Sequence, residues 1–142
     1  MSTERILVAV SKDVADAARP SLDASALGVE VVYVQDGVRA LTAFVKLLRV
    51  RQPPLLVVLD ASHDRLPAAR AARAMRAVER GFGVDAVPAL FYTKDAADES
   101  MRGDLAQLGR AVHLQRPADA TLAEQAIRMT KAISKLLQKV RG

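Results

Sequence analysis

The 142-residue chain has no cysteine. That excludes a disulfide framework, a thiolate metal site and a cysteine nucleophile. It also has no tryptophan, and its aromatic residues are three Phe and two Tyr. Binding of single-stranded nucleic acid through base stacking needs an aromatic platform, so that class is disfavoured. No apolar run approaches the ~20 residues of a membrane-spanning helix. The opening MSTERILVAV lacks a signal-peptide layout, because its charges abut a strand-like run directly. No glycine-rich phosphate loop of the G-x-G-x-x-G or Walker type is present. The simplest expectation is a cytoplasmic protein without a membrane span.

What is present is a large apolar fraction, 51%. That excludes disorder, and the length suits one domain, residues 1–142, with its own hydrophobic core. The formal net charge of +5 is a mild basic excess. It reads first as solubility and second as a preference for acidic partners; nucleic acid is the weaker option.

Strand-like and helix-like segments alternate along the chain. RILVAV (5–10), VEVVYV (29–34), LLVVLD (55–60), VPALFYT (87–93) and AVHLQRP (111–117) are short apolar runs rich in β-branched and aromatic residues. Between them lie amphipathic or alanine-rich stretches. The first has Ser11 or Asp13 as cap and is expected to be short, kinked or restarted at Pro20. In the second, Leu41, Phe44, Val45 and Leu48 form one stripe. The third, LPAARAARAMRAVERG, is expected to stop at Gly81. The fourth is weaker, with Gly103 inside and Gly109 closing it. The last places Leu122, Ala126, Met129, Ile133, Leu136 and Val140 on its buried stripe.

Five such alternations imply a parallel sheet with helices on both faces, an α/β three-layer sandwich. The unbroken apolar runs fit strands buried on both sides. Ligands in such sheets sit outside the carboxyl ends of the strands, so Val10, Ser11, Asp60, Thr93 and Arg116 are the positions to inspect.

VVYVQDGVRAL, PPLLVVLD, VPALFYT and VHLQRP, in that order and at that spacing, resemble a bacterial response-regulator receiver domain. The resemblance covers nearly all of residues 4–140. It implies the flavodoxin-like (βα)5 fold, with a five-stranded parallel sheet in the order 2-1-3-4-5. It also implies that Asp60 stands where receivers carry the phospho-accepting aspartate, Thr93 at the switch hydroxyl and His113 at the aromatic switch position.

The resemblance further identifies what departs. Receivers carry two acidic residues after strand one that hold Mg²⁺ together with the acceptor; here Val10 and Ser11 stand there. Mg²⁺ is a hard ion that takes oxygen ligands, and without it the charge on a transferring phosphoryl group loses its main electrostatic partner. Receivers carry Lys where this chain has Arg116, whose planar fork suits a carboxylate, so a static Arg116–Asp60 pair is expected. His63 and Asp64 in the loop after Asp60 lack a third ligand, and no metal or other cofactor is expected.

Three functions follow. The first is a pseudo-receiver: a non-enzymatic interaction module of two-component signalling that binds protein partners without aspartyl phosphorylation. The second is a receiver phosphorylated on Asp60 with unusual metal needs. The third is a nucleic-acid or nucleotide binder on the same fold. Arg70, Arg73, Arg76 and Arg80 on helix three, with Arg128, Lys131 and Lys135 on helix five, are the candidate interaction face. By the same resemblance, a homodimer would form through helix four, strand five and helix five.

Overall fold

A computed structural model describes residues 4–24, 28–60, 68–93, 99–115 and 119–141, with the backbone alone at 23, 24, 68, 100, 101 and 141. The elements alternate as β1 (Arg5–Ala9), α1 (Lys12–Ala24), β2 (Glu30–Val34), α2 (Gly37–Arg49), β3 (Leu56–Asp60), α3 (Ala68–Phe82), β4 (Ala89–Thr93), α4 (Glu99–Leu108), β5 (Ala111–Gln115) and α5 (Leu122–Arg141). All strands are parallel, in the order β2-β1-β3-β4-β5. The parallel sheet is the one expected from the alternation, and its order is the flavodoxin-like arrangement that the receiver resemblance implies.

Alternation of side chains across the sheet divides the core in two. Ile6, Val8, Val58, Leu90 and Tyr92 face α1 and α5, meeting Val14, Leu22, Met129, Ile133 and Leu137. Leu7, Val57, Leu59 and Phe91 face the other way, onto Phe44 and Leu48 of α2 and Met75 of α3. Every residue of β3 and β4 is buried, which is why both read as unbroken apolar runs.

Several local expectations are corrected. Helix α1 runs through Pro20 without restarting, and Ala18 and Leu22 on either side of it are buried. Burial in the α1–α5 layer holds the turn that proline leaves one hydrogen bond short. Ser11 is the residue that caps α1: its Oγ accepts the Val14 N–H at 3.5 Å. Helix α3 passes Gly81 and ends at Phe82, followed by Gly83, whose φ of 70° is the left-handed conformation glycine tolerates. There Gly83 N–H donates to the Arg80 carbonyl at 3.2 Å and Val84 N–H to the Glu79 carbonyl at 3.0 Å, the paired bonds of a Schellman stop.

In α2 the buried stripe is Gly37, Ala40, Phe44 and Leu48; Leu41 and Val45 flank it, half-buried. In α5 the buried stripe is Ala126, Met129, Ile133 and Leu137. Leu136 and Val140 are half-buried beside it, and Leu122, in the first turn after the Thr121 cap, is exposed. Both choices at 136 and 137 satisfy a 3.6-residue period; contact with α1 selects the second.

Candidate functional site

Asp60 is the last residue of β3 and is 2% exposed. It pairs in register with Tyr92 of β4, and Ala9 pairs with Leu59 on the other side. Val10 therefore stands level with Asp60 and Thr93 one step beyond it. The sheet thus brings the carboxyl ends of β1, β3 and β4 together, as the strand order requires.

Val10 is fully buried and belongs to the α1–α5 side of the core. Its backbone N–H donates to the Val34 carbonyl at 3.3 Å, continuing the β1–β2 ladder. Ser11 is half-buried, with its hydroxyl engaged as the α1 cap and its carbonyl accepting Ala15 N–H at 2.9 Å. Asp13, the nearest carboxylate after β1, is exposed in the first turn of α1. The donor set beside Asp60 is therefore one carboxylate, one aliphatic side chain and one hydroxyl already used by a helix. That set does not fit Mg²⁺, which takes six oxygens and is usually held by carboxylates. Among the described residues no group of three or more His, Asp or Glu is arranged to hold a metal.

Thr93 is buried at the end of β4, and its hydroxyl shares a hydrogen bond with Nε2 of half-buried His113 on β5. The register explains the meeting. Phe91 pairs with His113, so Thr93 lies two residues further on the same face of the sheet. The contact joins the two positions that the receiver resemblance marks as switch residues. Arg116, His63 and Asp64 lie outside the described residues, and with them the expected Arg116–Asp60 pair.

The helix-three row is not uniformly exposed. Arg70, Arg73 and Arg80 are exposed, but Arg76 is only 9% exposed. Its guanidinium donates to both oxygens of Glu79 at 2.9 and 3.0 Å, to the Leu108 carbonyl at 2.9 Å and to the Gly109 carbonyl at 2.9 Å. Glu79 is 1% exposed and also accepts the Val87 N–H. Arg73 pairs with Asp104 of α4. Steps of three and four residues put these arginines on one side, as expected, but that side meets α4 and the start of β5. The signal in the sequence was Glu79, three residues after Arg76, which the reading of a basic row passed over. Arg128, Lys131 and Lys135 are exposed on α5.

Edge strand β5 and α5 border a groove of about 530 Å³ lined by Leu90, Val112, Leu114, Ala132 and Leu136, with Lys135 and Lys139 at its rim. Val112 is 42% exposed there.

No protein-family model matches the sequence, and no curated protein matches it. Solved structures do. The receiver domain of the histidine kinase CKI1 from Arabidopsis thaliana, complexed with Mg²⁺ and BeF3⁻, superposes with a TM-score of 0.72 at 17% identity, over 97% of this chain and 89% of that one. The phosphorylated cyanobacterial phytochrome response regulator RcpA gives 0.72 at 16% identity, over 96% and 95%. The receiver domain of the sensor kinase PA1611 from Pseudomonas aeruginosa, with magnesium in its active-site cleft, gives 0.64 at 23% identity, over 96% and 99%. Coverage of nearly the whole of both chains establishes the receiver fold. No helix among the described residues is long and apolar enough to cross a membrane.

Proposed function

We propose that this chain is a signalling module on the receiver fold that works through its surfaces, without Mg²⁺-dependent phosphorylation of Asp60. The observation that carries this reading is the donor set beside Asp60. A buried valine packs in the core where a metal ligand would stand, and the neighbouring serine caps α1. The module is a single receiver-like domain spanning residues 1–142, non-enzymatic and bacterial, and acts in the cytoplasm within a two-component pathway. Isothermal titration with MgCl₂ tests it: no saturable binding is expected, and stoichiometric binding would overturn it.

Its partner is an acidic protein, or a second copy, docking on α4, β5 and α5. The β5–α5 groove supports this, with apolar Val112 and Leu136 inside a rim of Lys135 and Lys139. Nucleic acid is the weaker partner, because three Phe, two Tyr and no Trp offer little for stacking on bases.

A second reading keeps phosphorylation. Buried Asp60 at the end of β3, with the Thr93 hydroxyl one step further on β4, favours it. It requires a route to charge neutralisation other than an acidic pair after β1.

A further inference from the structure

We propose that the cleft between α3 and α4 is a binding site for a phosphate dianion, held by Arg76 and Arg80 with Arg73 and Gln107 beside them. Arg73, Arg76, Arg80, Gln107 and Leu108 line a cavity of about 290 Å³. Its lining is mainly polar and cationic, unlike the apolar grooves along β5 and α5. The site is remote in sequence from Asp60 and does not depend on the reading of that residue.

Four features favour an oxyanion. No carboxylate lines the cavity. Glu79 is withdrawn, accepting from Arg76 and from the Val87 N–H. Arg76 is fixed in place by its bonds to Glu79, Leu108 and Gly109; those four bonds leave one of its five N–H groups uncommitted. A cation already immobilised loses little conformational freedom when a ligand arrives. Among the described residues Arg80 has no ion pair or side-chain hydrogen bond, so it brings to the cavity a cation without a described carboxylate partner. Finally, the exposed Arg73–Asp104 pair is exchangeable, since such pairs contribute ~0–1 kcal/mol and a dianion competes well for the guanidinium.

Phosphate fits this set because its oxygens accept from several guanidinium forks at once, with the amide of Gln107 as a further donor. The cavity is at the small end of ligand sites, which run from ~300 Å³ upward, so it suits a phosphate group with little attached. The dianion arrives either as the free ion or carried on a phosphomonoester.

The test follows the Arg Nε–Hε resonances of the full chain by NMR near neutral pH. Sodium phosphate is titrated against sodium chloride at matched ionic strength, then AMP and a phosphoserine peptide are used in its place. Saturable shifts at Arg76 and Arg80 are expected, with a dissociation constant on the order of 1 mM for the free ion. Binding should weaken about tenfold in Arg80→Gln and in Arg73→Gln, the equivalent of one charge-assisted hydrogen bond. It should persist in Arg70→Gln, which is exposed and off the cavity. Tighter binding of AMP or of the peptide than of inorganic phosphate assigns the carrier; equal binding assigns the free ion. Shifts that rise linearly and match those in chloride would overturn the proposal. An equal loss in Arg70→Gln would do the same, by reducing the effect to diffuse surface charge.

Discussion

Arg76 and Glu79 form a buried ion pair within α3, and each also bonds to backbone elsewhere: Arg76 to the α4–β5 corner, Glu79 to the N–H of Val87 just before β4. Two charges withdrawn from water are tolerable only with such complete hydrogen bonding. Removing one partner leaves the other charge buried and unmatched. Glu79→Ala or Arg76→Ala should therefore destabilise the domain by about 3–5 kcal/mol, read by urea denaturation. The Arg76→Met, Glu79→Leu double variant should recover part of that loss. Arg73→Ala, which breaks only the exposed pair with Asp104, should cost within about 1 kcal/mol. Charge reversal at Arg76 consequently tests folding and not partner binding.

The Thr93–His113 hydrogen bond should contribute about 0.5–1.5 kcal/mol. Thr93→Val keeps the shape and removes the hydroxyl. The loss should appear in the denaturation midpoint, and the His113 Nε2 resonance should move. An unmoved resonance would mean that the two side chains do not meet in solution.

The groove between β5 and α5 is exposed, so Val112→Asp and Lys135→Glu should leave stability within about 0.5 kcal/mol of the parent. Sedimentation of the chain, or binding of its partner, should change with both. Unaltered association in both variants would move the interface elsewhere.

Thermal melts with chelator and with millimolar Mg²⁺ should coincide. Val10→Asp and Ser11→Asp together with Arg116→Lys should create Mg²⁺ dependence. Val10 is fully buried, so the gain comes with lower stability in the metal-free form.

The element sequence and the position of Asp60 at the end of β3 were legible because unbroken apolar runs and amphipathic stripes have distinct periods, whereas the strand order came from the receiver resemblance. What was not legible depends on tertiary choice. Leu136 and Leu137 both fit a helical stripe, and only packing against α1 decides for Leu137. Gly81 and Gly83 both follow helix formers, and the hydrogen bonds that close a Schellman motif decide for Gly83. The arginine row read as one interaction face because one-dimensional spacing does not reveal that Arg76 turns inward, to Glu79 and to the α4–β5 corner. In the site, Val10 and Ser11 follow directly on β1, a place the sequence alone suggests, whereas the Thr93–His113 contact required the β4–β5 register.

The most direct test is intact mass after incubation with acetyl phosphate and Mg²⁺, alongside Asp60→Asn. The in-line transfer to Asp60 requires compensation of charge on the phosphoryl oxygens, and Val10 and Ser11 supply no carboxylate to hold the metal. The expected result is an unmodified mass for both proteins and equal partner binding by both. A phosphoryl adduct on the parent chain that is absent from Asp60→Asn would contradict it and establish a working receiver.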